Sequence, residues 1–232
     1  METIFENFRE RIEEVNKYYK VLDILEDERV TLVKKSSDRT YKITIDADVN
    51  KVLKSTCFLL LYNLIESTVR ETFTYLYDTI NSENKIIEDY KEEFRTIWLK
   101  QHFKNIDPIS SNQNTYKEIV SEVINKIIQT ENFNMDSSKL PLSGNLDARK
   151  IRKLYKEHNI ELKVHYRAFG GGELRTIKDH RNELAHGNVS FTECGRQYTL
   201  ESLQNIKNRT IIYLKSTLRN MDKFIEQKNY AV

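Results

Sequence analysis

Residues 49–81 constrain the fold more than any other part of this chain of 232 residues. Their centre, C-F-L-L-L-Y-N-L-I at 57–65, is apolar on nearly every side. A helix with no wide polar face must be surrounded by other helices, so the stretch predicts the central helix of a bundle. Asp46 or Asp48 stands where a short polar side chain can take up the first unpaired backbone amides and start that helix. The apolar run is far shorter than the roughly 18 residues a membrane span needs. Six glycines and two prolines are too few for a turn-rich all-β alternative.

Partners for that helix follow from spacing. Ile4, Phe8, Ile12, Val15, Tyr19 and Leu22 recur every three or four residues over 4–25, which predicts an amphipathic helix. Between 30 and 45 the pattern changes to V-T-L-V-K-K, a turn-like S-S-D-R and T-Y-K-I-T-I, the signature of a short hairpin. Further helices are expected over 83–104, 116–129, 147–159 and 199–228, the last closing the core. The expected fold class is all-α. An N-terminal helix and hairpin (1–46) form a small appendage on a helical bundle (47–232). Residues 107–114 read as a loop, 131–146 as a mobile Asn- and Ser-rich loop, 170–172 as a glycine hinge and 188–198 as a polar loop. Neither a phosphate-binding glycine loop nor a dinucleotide fingerprint is present.

Charge excludes little but directs attention. Thirty-seven Lys and Arg against 35 Asp and Glu leave a net charge of +2, which argues against a basic nucleic-acid coat while permitting a local basic site. The 147–159 helix carries Arg149, Lys150, Arg152, Lys153 and Lys156. It reads first as a solvated charged face and second as a patch that contacts phosphates. Cys57 and Cys194 stand far apart with no paired motif, as expected of a reduced cytoplasmic protein. The N-terminal residues, charged from Glu2 onward, lack the apolar run of a signal peptide, so neither secretion nor membrane association is expected.

The stretch 174–187, L-R-T-I-K-D-H-R-N-E-L-A-H-G, breaks its own pattern. Leu174, Ile177, Leu184 and Ala185 form one helical stripe, and the missing i+7 member is Arg181, within roughly 20° of Leu174. A cation on a core stripe needs a carboxylate, a phosphate or a second subunit nearby. One carboxylate source is the central helix, where Asn63, Glu66 and Arg70 share a face at i, i+3 and i+7. Glu66 either pairs with Arg70 along its own helix or serves Arg181. Gly187 is placed to end the helix, which leaves His186 in the last turn. The helix C-terminus favours a charged imidazole there and nearby arginines oppose it. A metal site built on His180, Glu183 and His186 is disfavoured, because the two histidines lie about 120° apart on the helix.

The residues R-N-E-L-A-H-G at 181–187 resemble the Arg-x-x-x-x-His motif of the HEPN superfamily, helical domains that include many ribonucleases. Spacing alone selects nothing, since Arg95/His102, Arg152/His158 and Arg175/His180 also match four to six intervening residues. Context selects the last pair: Asn182 after the arginine, a small residue before the histidine, glycine after it and a long closing helix. The segments L-S-G-N-L-D-A-R-K-I-R-K-L-Y and L-L-L-Y-N-L-I-E-S-T-V-R look like one bacterial HEPN clade, over roughly 48–228. The resemblance implies a metal-independent endoribonuclease that cleaves single-stranded RNA, with no cofactor. It also implies a homodimer whose two motifs form one composite site. On this sequence, Arg181 would neutralise the scissile phosphate and His186 would act as general acid or base. Asn182, on the same helix face as His186 at i, i+4, would orient it or the phosphate, with Glu66, Asn63 and Asp179 in support and Arg149, Arg152 and Lys153 binding RNA. Many relatives are toxins or anti-phage effectors held by an antitoxin or sensor partner. The alternative is a non-catalytic HEPN-like scaffold that dimerises and binds RNA or a partner protein.

Overall fold

The apolar stretch forms α2, Ala47–Ser82, which starts where the Asp46 carboxylate accepts the Val49 amide at 2.8 Å. In this computed structural model, residues 1–27, 30, 32–35, 40–43, 46–103, 113–142 and 144–232 are described. The described residues are mostly helical (75%) and include eight α-helices. The others are α1 (Glu2–Glu26), α3 (Glu92–Phe103), α4 (Gln113–Ile128), α5 (Ala148–Glu157), α6 (Gly172–Ala185), α7 (Phe191–Arg196) and α8 (Leu200–Glu226).

Four helices hem α2 in: α1, α6, α7 and α8. Its Cys57, Phe58, Leu61, Ile65, Phe73, Leu76 and Ile80 are completely buried, each contributing roughly 1.5–3 kcal/mol. An 18-residue window of α2 has a mean hydropathy of 1.2, enough by length and composition alone to cross a bilayer. Half of that window is buried inside the protein, as suits a core helix. Both cysteines are buried and unpaired, and burial pushes each thiol up to about 11.

The hairpin forms as expected, β1 (Leu32–Lys35) pairing antiparallel with β2 (Thr40–Ile43) in the register Leu32 opposite Ile43. Its turn at 36–39, and 107–112 of the expected loop, lie outside the described residues. Ile4, Phe8, Val15, Tyr19 and Leu22 of α1 belong to the same core cluster as the buried residues of α2 and α8.

Four expectations are corrected. The helix expected over 83–104 begins only at Glu92, because Asn84 takes a left-handed conformation at φ 51° and Tyr90 bridges to Ala231. The expected loose segment 131–146 is fastened instead. Phe133, Met135, Leu140, Leu142 and Leu146 are buried, and the Asn81 amide grips both the N–H (2.7 Å) and the C=O (3.0 Å) of Met135. The supposed glycine hinge is wedged. A Cβ on Gly171 would stand 2.5 Å from the Tyr213 ring and 2.9 Å from Ala148. The polar loop at 188–198 contains α7, opened by a reciprocal Ser190–Glu193 cap. α7 presses so close to α2 that a Cβ on Gly195 would meet the Lys51 carbonyl at 1.8 Å.

His158, one of the alternative motif histidines, is buried in this core. Its Nδ1–H donates to the Leu154 carbonyl at 2.8 Å, so Nε2 is left to accept the Tyr77 hydroxyl at 2.9 Å. Burial lowers its pKa to about 4, the Leu154 bond only partly opposing that. Between about pH 6.5 and pH 4 the unfolded chain therefore binds a proton that the folded chain refuses. Full stability is present above that window and is lost as pH falls through it. Urea titrations stepped across this range should show wild type losing up to about 3 kcal/mol more than His158→Gln. Parallel pH profiles for the two proteins would contradict this.

Candidate functional site

Helix α6 buries Leu174, Ile177 and Leu184, while Ala185, the last member of the expected stripe, is exposed at the helix end; Arg181 on that stripe is half-buried. Its guanidinium lies over the Tyr62 ring of α2, 4.5 Å from the centroid. Nη1 donates to Asn182 Oδ1 at 2.9 Å and to the Gly144 carbonyl at 3.3 Å. Among the described residues no carboxylate lies within ion-pair distance of it. The ring face and two neutral oxygens hold the cation, a contact worth about 0.5–2 kcal/mol without cancelling the charge. The Tyr62 hydroxyl in turn accepts the Leu146 amide at 3.1 Å. Burial raises the Tyr62 pKa, the Leu146 bond lowers it, Glu66 raises it and Arg181 lowers it, leaving the phenol protonated at neutral pH.

Arg181 borders a cleft of about 420 Å³ together with Arg11, Tyr62, Asn63, Glu66, Arg70 and Glu71. Glu66 pairs with Arg70 at 3.0 Å, so the contact along its own helix forms and a Glu66–Arg181 pair does not. Glu71 pairs with Arg11 and accepts the Asn7 amide at 3.2 Å. Both cleft carboxylates already hold an arginine, and Arg181 is the cleft cation that lacks one among the described residues. Asn63 lines the same cleft.

His186 is the C-terminal cap of α6 and is exposed. Gly187, at φ 69°, donates to the Leu184 carbonyl (3.3 Å) and Asn188 to that of Glu183 (2.9 Å), the paired bonds of a Schellman turn. Of the four histidines that satisfy the motif spacing, His186 differs in what its ring touches. His158 is buried and doubly bonded. His180 spends Nδ1 on Glu183 (2.9 Å) and Nε2 on the Tyr198 hydroxyl (2.6 Å), packed beside Phe58. His102 donates Nδ1–H to the Trp98 carbonyl at 2.9 Å. The His186 ring has no hydrogen-bond partner among the described residues, so both nitrogens can serve a ligand. His180, with both nitrogens engaged, is unsuited to the metal set considered above, and no metal-binding cluster of three such residues occurs among the described residues.

The supporting residues are rearranged. The Asn182 side chain does not reach toward His186: Oδ1 accepts Arg181, and Nδ2 donates to Asn145 Oδ1 at 2.7 Å. It clamps Arg181 to the loop before α5 and touches His186 only through the backbone, whose N–H donates to the Asn182 carbonyl at 3.0 Å. Asp179 pairs with Lys178 (3.1 Å) and Arg175 (3.5 Å), not with Arg181. Asp147 caps α5 and binds Lys178 at 3.3 Å; burial raises its pKa, but the Lys150 amide and Lys178 together bring it below the usual range.

Arg149, Arg152 and Lys153 lie on the exposed face of α5. Arg149 is 3.9 Å from Asp147, Lys153 is 3.8 Å from Glu157, and Arg152 donates to the Gly170 carbonyl. Exposed pairs this long are worth little, so these cations remain available.

Tyr62 and Asn145 are the site residues that sequence reasoning missed. A tyrosine inside an aliphatic run was the signal for the first, because a buried hydroxyl requires a partner. The Gly144–Asn145 pair before a capped helix was a weaker signal for the second.

A family model described as HEPN_MAE_28990-like HEPN matches residues 1–230, so the likeness extends through α1 and the hairpin rather than starting near residue 48. No curated protein and no solved structure matches the chain.

Gly187 has open space around its α-carbon but a left-handed backbone, so alanine there would meet strain without a clash. Gly187→Ala should destabilise by about 1 kcal/mol, lowering the melting temperature by roughly 2–4 °C, with Gly187→Asn milder. Calorimetry checks this, and an unchanged melting temperature for the alanine variant would rule out the strained turn.

Proposed function

Because the chain belongs to the HEPN_MAE_28990 family and so carries a HEPN domain, a class whose members are commonly ribonucleases, we propose that it is a metal-independent endoribonuclease. The observation that carries this reading is a half-buried arginine, bound by an aromatic face and neutral oxygens and without a carboxylate partner among the described residues, that borders a cleft whose two glutamates are paired with other arginines. Such a group is set to receive an anion brought from outside. With Nη1 engaged, Nη2 and Nε can make the two parallel bonds that a phosphate accepts.

His186 supplies the proton chemistry. An imidazole acting as base takes the proton of a ribose 2′-hydroxyl while that oxygen attacks the adjacent phosphorus. The bond from phosphorus to the 5′-oxygen breaks, and the leaving oxygen takes a proton from an acid. The products are a 2′,3′-cyclic phosphate and a 5′-hydroxyl end. Charge grows on the phosphoryl oxygens as the bonds change, and Arg181 neutralises it.

One subunit supports only half of this. Arg181 and His186 are five residues apart on α6, about 140° around its axis, and no hydrogen bond or ion pair joins them among the described residues. Two copies with their α6 ends facing would bring an arginine and a histidine from each to one phosphate. One imidazole would then act as base and the other as acid, so the active species is a homodimer. The substrate is single-stranded RNA, and the biological setting we favour is a toxin or anti-phage effector restrained by a partner protein.

The test uses end-labelled RNA incubated with the purified protein in EDTA, beside Arg181→Ala and His186→Ala. Wild type should cut and leave cyclic-phosphate ends, and each variant should lose at least about 10²-fold in rate. Equal cleavage by all three proteins, or dependence on added metal, would overturn the proposal. RNA binding without cleavage by wild type would favour a scaffold role instead.

A further inference from the structure

The segment leading into α6 exposes two aromatic rings among arginines. Tyr166 is 75% exposed and Phe169 is 66% exposed. The Arg209 guanidinium of α8 lies 4.3 Å from the Phe169 centroid, and Arg167 lies 5.7 Å from that of Tyr166. Arg167 also donates from Nε to the Tyr166 hydroxyl at 3.1 Å, and His165 stacks on the Tyr166 ring at 4.6 Å. Arg152 reaches the Gly170 carbonyl from α5 and stands 5.8 Å from the Tyr213 ring. Among the described residues one carboxylate enters the group, Glu173, paired with Arg209 at 2.6 Å.

The backbone holds the Phe169 ring outward. Phe169, Gly170 and Gly171 are consecutive left-handed residues, at φ 47°, 66° and 80°. A phenylalanine is a poor choice for that conformation. Gly171 is jammed against Tyr213 and Ala148, so the turn cannot relax inward and bury the ring. Water gains nothing from an aromatic ring presented in this way, whereas a nucleobase does.

The patch is joined to the candidate site by a run of cations. Asn145 binds Asn182, Asp147 binds Lys178, and Arg152 binds Gly170, so the loop before α5 and then α5 itself descend alongside α6. Exposed Arg149, Lys150, Arg152 and Lys153 mark that path, about 14 Å measured along α6 from Arg181 to Gly172. We propose that Tyr166 and Phe169, framed by Arg152, Arg167 and Arg209, form a stacking platform for unpaired bases of single-stranded RNA whose backbone follows the basic face of α5. The platform rests on the RNA reading above and gives it a recognition mode: bases held by their flat faces, tolerant of sequence and selective against duplex. An acidic protein segment would also suit the arginines, but it would have no use for two solvent-facing rings.

The experiment measures fluorescence anisotropy of a labelled oligouridylate, alone or annealed to oligoadenylate, with full-length protein carrying His186→Ala to prevent cutting. Phe169→Asn is the informative variant, because asparagine tolerates the left-handed backbone and removes only the ring. Phe169→Asn and Tyr166→Ala should each weaken single-strand binding roughly 10-fold, Phe169→Tyr should retain it, and duplex binding should change little. Unchanged single-strand affinity in the Phe169→Asn, Tyr166→Ala double variant would overturn the platform, as would a wild type that does not bind the strand. Equal weakening for strand and duplex, or loss of dimer mass with RNA binding intact, would also overturn it and reassign the patch to backbone or protein contact. The two readings fail separately. A wild type that never cuts RNA but loses strand affinity through Phe169→Asn keeps the platform and loses the nuclease, and the reverse pattern does the opposite.

Discussion

A guanidinium lying on a phenol ring is the contact from which the rest of the site takes its form. Tyr62 holds Arg181 by its face and the Leu146 amide by its hydroxyl, so one side chain of the central helix positions both the motif helix and the loop before α5. Had Glu66 met Arg181 directly, the charge would have been satisfied within the protein and the arginine would be an ordinary buried ion pair. Instead Glu66 is taken by Arg70 and Glu71 by Arg11, and the remaining positive charge faces a cleft. The arrangement places the cation without cancelling it, which is what anion recognition requires.

Helix identity was legible because burial and period agree. Residues 57–65 are apolar on nearly every side, Asn63 apart, and α2 is buried where that pattern requires it. The anomaly at Arg181 was also legible, since a charge on a core stripe is visible from spacing alone. What spacing could not give was the partner. Tyr62, Asn63 and Glu66 sit within one turn or so of each other on α2, and the choice among them depends on a side-chain rotamer and on Arg70 competing for Glu66. Asn182 was read through its i, i+4 relation to His186, but Asn145, remote in sequence, captures its amide.

Loops were misread for a related reason. Polar composition at 131–146 suggested looseness, yet Asn81 and Gln101 each bind a backbone group there and five apolar side chains are buried. Three glycines in a row suggested a hinge, yet Gly171 is required by close approach to Tyr213 rather than by motion. Glycine marks places where a side chain cannot fit as often as places where the chain bends. The S-x-x-E pattern at 190–193 marks the start of α7, but six residues offer too little periodicity to announce a helix.

The order in which this chain leaves the ribosome matters for a protein built in this way. Tyr19 of α1 donates its hydroxyl proton to the carbonyl of Leu203, and the shelf beneath Gly171 is Tyr213 of α8. Until that final helix has emerged, the first helix has no seat for its far side and the turn before the motif has nothing to rest on. A nascent polypeptide that already displays Arg181 and His186 therefore lacks the completed architecture around them. Synthesis itself therefore imposes a delay between making the motif and assembling it.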